Sequence, residues 1–188
     1  MTPEGENYLH VLKRKNFKLS PSNVLRIGWM LFRALTTLHQ YGFVHRDIHH
    51  GNVLVKRDRG GDVVVTLIDF GCSIPETSAN SLENPYSRFQ DYRAMGYILA
   101  QSVGMNACSK ETRTPVQNKH DFHVHLSSRE YAEMNTQWIP SLMSLFKQQS
   151  LESYNYEQIS KLFHNALPDT KPDSLIEYKI VDDLLFID

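Results

Sequence analysis

The apolar positions of this chain fall into a few short helical stripes and one pair of strand-like runs. Ser20 before Pro21 joins a capping hydroxyl to the residue best tolerated in a first helical turn. Behind it Val24, Ile27, Leu31, Leu35 and Leu38 recur at helical spacing and predict a helix with one buried face up to about His39, closed by Gly42. A shorter helix is expected over Tyr8 to Lys13, then a basic, polar loop to Lys18. Two runs rich in branched residues, Asn52 to Lys56 and Asp62 to Ile68, flank the Gly60-Gly61 pair, which admits positive backbone angles, and read as a β-hairpin. Thr77 to Pro85 is polar and ends in proline, which predicts a loop, and Asp91 is expected to open a helix through Met95, Ile98 and Leu99. From Val103 to Gln137 the pattern is weak and predicts loops and short helices. Two later stripes predict helices: Ile139, Leu142, Met143 and Phe146, then Ile159, Leu162, Phe163, Ala166 and Leu167. The acidic tail after Pro168 is expected to end in a short strand or docked turn. The division expected is a domain over 1–168 and a tail over 169–188, with no internal repeat.

Composition narrows the classes of function. With 188 residues and a net charge of −1, the chain suits one domain, and nothing in its overall charge points to nucleic acid or an anionic membrane as a partner. Its two cysteines, Cys72 and Cys108, do not make a disulfide framework, so a reducing compartment, cytoplasmic or nuclear, is expected. The N-terminus lacks the pattern of a signal peptide, and no apolar run approaches the roughly 20 residues of a membrane span.

The candidate chemistry lies in H-R-D-I-H-H-G-N, His45 to Asn52, and D-F-G, Asp69 to Gly71. Phosphoryl transfer from ATP needs a carboxylate near the attacking hydroxyl and two ligands that hold magnesium against the phosphates. Asp47 suits the first role, and Asn52 and Asp69 suit the other two. Both motifs, in order, each beside its expected strand and preceded by an amphipathic helix, identify the chain as similar to the protein kinase superfamily. The flanks resemble the casein kinase I family of serine/threonine kinases: Y-L-H-V-L-K-R-K-N-F-K-L-S, L-H-Q-Y-G-F-V-H-R-D-I, Ser87 to Leu99, and Y-E-Q-I-S-K-L-F at Tyr156 to Phe163. The resemblance implies a mainly α (α+β) fold, a kinase-like C-lobe with a small β-hairpin beside the catalytic loop. It further implies ATP and Mg2+ as cofactors and a protein as substrate or partner. In that family His45, Arg46, Phe70, Gly71 and Asp91 are structural, with Asp91 accepting hydrogen bonds from the catalytic-loop backbone.

Three departures qualify the likeness. No G-x-G-x-x-G loop or V-A-I-K-like strand lysine occurs in these residues, so the N-lobe is expected to be absent, or supplied by a partner, with apolar surface exposed around Tyr8 to Leu12 and the hairpin. Only 19 residues, Cys72 to Gln90, separate Gly71 from Asp91, about half of what the resembling family uses. No A-P-E-like element is visible there, and Lys147 stands where a late-helix arginine would pair with its glutamate. Finally, His49 takes the place of the usual catalytic-loop lysine, and H-x-D-x-H-x-x-N also resembles small-molecule phosphotransferases of the aminoglycoside and choline kinase type. The competing class is a pseudokinase or kinase fragment that serves as a binding module. Arg46 suits either phosphate capture or plain solvation, and His50 reads as a loop residue. His120, His123 and His125 are close enough for a metal but lack a completing cysteine or carboxylate. Cys72 reads either as a reactive thiol or as an ordinary small residue.

Overall fold

The strongest helical stripe forms as its pattern requires. In a computed structural model of the chain, residues 5–81, 86–105, 135–150 and 154–188 are described. Cys108, the three clustered histidines and residues 82–85 lie outside them. The chain runs through β1 (Glu6–Asn7), α1 (Tyr8–Arg14), α2 (Pro21–Gln40), β2 (Phe43–Val44), β3 (Val53–Arg57), β4 (Val63–Leu67), β5 (Ile74–Pro75), α3 (Glu76–Asn80) and α4 (Arg88–Ser102). Beyond these lie α5 (Trp138–Gln149), α6 (Tyr156–His164), β6 (Tyr178–Val181) and β7 (Leu184–Ile187). The fold is mainly α, with small antiparallel sheets ordered β1-β3-β4, β2-β5 and β6-β7. No described helix is long and apolar enough to cross a membrane.

The Ser20 hydroxyl caps α2 by accepting the Asn23 N–H at 3.3 Å. Val24, Ile27, Leu31 and Leu35 are buried on its inner face, but Leu38 is only half-buried and His39 is fully buried in its stead. Helix α4 packs on α2 through Tyr92, Met95, Ile98 and Leu99, α5 packs on α4 and α6 through Ile139, Leu142 and Phe146, and α6 joins the same core through Ile159 and Phe163. Helix α6 ends at His164, so Ala166 and Leu167 lie past its last turn. Two expected boundaries move. A short helix, α3, occupies part of the expected Thr77–Pro85 loop, because Ala79 is fully buried there. Helix α4 starts three residues before Asp91, because Gln90 Oε1 accepts both the backbone N–H and the hydroxyl of Ser87, at 2.9 and 2.6 Å, and closes the first turn early.

The expected apolar exposure near Tyr8 to Leu12 is absent. Tyr8, Val11 and Leu12 are all fully buried, as are Val53 and Val55 of the hairpin. The chain's own ends cover this region. β1 pairs with β3, Glu6 opposite Val55 and Asn7 opposite Leu54, and β7 packs on α1. The tail is held by Asn23, whose buried amide donates to Glu177 O at 2.9 Å and Asp188 O at 2.7 Å and accepts the Glu177 N–H at 2.9 Å. Arg14 donates to Leu185 O at 2.6 Å, and Tyr178 Oη to Gly61 O at the tip of the β3–β4 hairpin, also at 2.6 Å. Exposed apolar side chains gather instead on the β6–β7 hairpin, at Ile180, Val181 and Leu184.

The α4–α5 contact depends on a glycine. A Cβ on Gly96 would sit 2.0 Å from Met143 Sδ, far inside contact distance. Gly96→Ala should therefore destabilise the fold by about 1–3 kcal/mol in urea unfolding. In a Met143→Ala background the same substitution should cost much less. Equal costs in both backgrounds would show that the methionine contact is not the cause.

Candidate functional site

The site is assembled around a carboxylate that never meets solvent. Asp91, in the first turn of α4, is fully buried. Its Oδ2 accepts His39 Nε2–H at 2.9 Å and the His45 N–H at 2.8 Å, and its Oδ1 accepts the Arg46 N–H at 3.0 Å and the Tyr86 hydroxyl at 2.9 Å. Two donors on each oxygen fill the roughly four acceptor positions of a carboxylate. Burial by itself would raise the Asp91 pKa. The hydrogen bonds from His39, His45 and Arg46 overcome it and hold the carboxyl below its ordinary value of 3.8.

Asp91 thereby fixes the loop from His45 to Asn52. Arg46 adopts φ 73°, a left-handed conformation that costs a non-glycine residue about 1–3 kcal/mol, and its N–H bond to Asp91 offsets that strain. Its side chain is exposed and makes no ion pair among the described residues. His45 is buried, and its ring sits 4.9 Å from that of Phe70. Nε2–H donates to Ile68 O at 3.1 Å, while Nδ1 faces the Asp47 N–H at 3.4 Å, which assigns the proton to Nε2.

Asp47, His49 and Asn52 come together directly. Asn52 Nδ2 donates to Asp47 O and Oδ2, both at 2.9 Å, and His49 Nε2 lies 3.5 Å from the same Oδ2. His49 Nδ1 accepts the Gly51 N–H at 3.0 Å, so the ring proton is on Nε2, toward Asp47. This ring lies against Gly51, where a Cβ would fall 2.7 Å from His49 Cε1 and 2.8 Å from Nδ1. Asp47 Oδ1 has no partner among the described residues. His50, next in sequence, turns inward toward the Tyr8 and Phe17 rings, and burial, aided by His49, pushes its pKa down to about 4.

Asp69 reaches the site by the hairpin. Ile68 N–H donates to Asn52 O at 3.0 Å, which puts Asn52 and Asp69 at the base of the β3–β4 pair. Asp69 is exposed at φ 61°, and its Oδ1 accepts the Gly71 N–H at 3.3 Å. Asn52 Oδ1 and Asp69 Oδ2 have no partners among the described residues. Two hard oxygen donors fit magnesium, which keeps several waters and takes one or two protein ligands plus phosphate oxygens. Among the described residues no group of three or more His, Cys, Asp or Glu could hold a metal, so no all-protein cage is present there. Gly71 and the exposed Cys72 follow in a short 3₁₀ turn.

The segment after Cys72 has its own anchor. β5 pairs with β2, Glu76 N–H donates to Gly42 O at 2.8 Å, and the Glu76 carboxylate pairs with Arg88 at 2.7 and 2.8 Å. Arg88 also donates to Tyr156 Oη at 3.0 Å. Lys147 is exposed and makes no ion pair among the described residues, and the glutamate–arginine pair seen here joins the segment to α4. His39 and Tyr86 were missed in the sequence. The only signal for His39 was its place at the end of the α2 stripe, where a polar residue in a core position demands a partner.

Asp91→Asn should cost about 3–5 kcal/mol, because an amide meets four donors with a single acceptor oxygen. A carboxyl whose folded pKa is depressed contributes stability that is whole above its ordinary value and is lost as pH falls below it. The gap between wild type and Asp91→Asn in urea unfolding should accordingly stay constant above about pH 5 and shrink toward about pH 2. A gap that does not change with pH would contradict an ionised Asp91.

Comparison with known proteins gives the family of the chain. The profile of the family described as the protein kinase domain matches residues 2–164. The chain is 27% identical over 112 residues to the serine/threonine/tyrosine-protein kinase HT1 of Arabidopsis thaliana, over 51% of this chain and 28% of that protein. It is 31% identical over 100 residues to cyclin-dependent kinase F-4 of Oryza sativa subsp. japonica, over 52% of this chain and 20% of that one. It is 32% identical over 99 residues to the serine/threonine-protein kinase MAK of Homo sapiens, over 52% and 15%. The chain thus spans less than a third of the length of these relatives. With the profile covering most of its length, the chain belongs to the protein kinase domain family.

Proposed function

We propose that the chain is the catalytic lobe of a casein kinase I-like serine/threonine kinase, which moves the γ-phosphate of ATP to a protein hydroxyl. The observation that carries this reading is the division of labour on Asp47. Its Oδ2 is held by Asn52 and faced by His49, while Oδ1 is left for an incoming hydroxyl. Asp47 then orients that hydroxyl and accepts its proton as the new O–P bond forms and ADP departs. His49 offers an N–H donor where the resembling family has lysine. Asn52 Oδ1 and Asp69 Oδ2 would hold Mg2+, which when bound neutralises charge on the phosphates. The finer likeness to casein kinase I rests on the quoted flanking segments.

A second reading has its own support. These 188 residues contain no glycine-rich loop and no strand lysine, so contacts to the far side of the nucleotide must come from other residues, in the same polypeptide or a partner. Without them the lobe serves as a protein-binding module.

Calorimetric titration with Mg2+ and ATP separates the two readings. Binding that Asp69→Ala abolishes supports the kinase reading, whereas no binding at millimolar nucleotide leaves the binding module. Asp47→Asn should keep nucleotide binding and lower transfer to serine/threonine peptides by roughly 10²–10⁴-fold. Gly51→Ala should displace His49 and lower transfer by about tenfold or more, with the affinity for ATP unchanged. Wild-type transfer in Asp47→Asn would exclude the aspartate as the base.

A further inference from the structure

We propose that Tyr86 is a positioning residue: its hydroxyl completes the donor shell of Asp91 and so couples the segment between Gly71 and Asp91 to the backbone of the catalytic loop. The inference deepens the kinase reading, on which its functional meaning rests. Three of the four donors to Asp91 come from α2 and the loop itself, His39, His45 and Arg46. Tyr86 alone comes from the segment. It shares Oδ1 with Arg46, the residue held at φ 73° immediately before Asp47.

Tyr86 is itself placed by the rest of the segment. Its N–H donates to Ala79 O at 3.2 Å, and Ala79 is fully buried at the end of α3. The other end of α3 is held by the Glu76 N–H bond to Gly42 O and by the ion pair of Glu76 with Arg88. An unbroken path therefore runs from the Glu76–Arg88 pair through α3 and Tyr86 to Asp91 and Arg46. Burial, with the adjacent Asp91 charge, raises the Tyr86 pKa, so the phenol stays a donor at any working pH. Without the Tyr86 hydroxyl, Asp91 Oδ1 would keep one of its two donors, and the strained Arg46 peptide would lose a firmly placed acceptor.

Tyr86→Phe removes one hydroxyl and leaves the ring in place. In amide-resolved NMR of the full chain, the Arg46 amide should shift more than the His45 amide, because only Arg46 shares Oδ1. Its hydrogen-exchange protection should fall roughly tenfold or more, while amides in the middle of α2 and in α5 keep theirs. Glu76→Gln, which does not touch Asp91, should move the Arg46 amide in the same direction by a smaller amount. An unchanged Arg46 amide in Tyr86→Phe, or a loss of protection spread evenly over the lobe, overturns the positioning role. An unchanged Arg46 amide in Glu76→Gln overturns the coupling. Phosphotransfer, measured in parallel, should show a lower kcat with the KM for ATP nearly constant. If neither protein binds Mg2+ and ATP yet the Arg46 signature appears, the positioning role stands and the kinase reading falls.

Discussion

The lobe is organised around one costly act, the burial of an ionised carboxylate. Removing Asp91 from water carries a penalty of several kcal/mol, and a single hydrogen bond to a charged group returns only about 1.5–3 kcal/mol. One donor would not suffice. Four do, and each comes from a segment that must then be in register with the others: His39 from the end of α2, His45 and Arg46 from the loop, and Tyr86 from the stretch before α4. The geometry of the catalytic loop follows from this constraint more than from any preference of the loop's own residues, since Arg46 sits in a backbone region it would otherwise avoid.

A second layer of order rests on the first. With His45 fixed, its ring ties the loop to Ile68, the residue before Asp69. The β3–β4 hairpin then sets Asn52 beside that same residue. Asp47 and Asn52 are joined by two hydrogen bonds, and the His49 ring, set against Gly51, turns a protonated nitrogen toward the aspartate. Local and tertiary forces agree on this arrangement, which holds the Asp47 carboxylate in one orientation.

The periphery shows how a small core is completed. Helix α1 and the β3–β4 hairpin would be poor at burying their apolar faces against the helical bundle alone. The terminal strands solve this from opposite sides, β1 by extending the hairpin's sheet and β7 by covering α1. The buried side chain of Asn23 pins the tail through backbone groups, while Ile176, Leu185 and Ile187 of the tail are buried in the core.

Periodicity by itself determined the existence of α2, α4, α5 and α6, because burying one face of a helix leaves a repeat that any reader of apolar spacing recovers, and branched runs around Gly60-Gly61 determined the β3–β4 hairpin. Motif spacing likewise singled out Asp47, Asn52 and Asp69, whose placement is set by positions close in the chain or across one short hairpin. What only the tertiary structure decided has long-range causes. His39 reads as the tail end of a helix until Asp91, 52 residues away, turns it into a donor. Tyr86 reads as a loop aromatic until the same carboxylate claims its hydroxyl, and Glu76 as a surface charge until Arg88 arrives one element later. Helix α3 has no stripe of its own, being held by Ala79 and its neighbours' bonds. Polar partnerships leave no period in a sequence. They are specified by where two distant donors and acceptors meet, which only the folded chain sets.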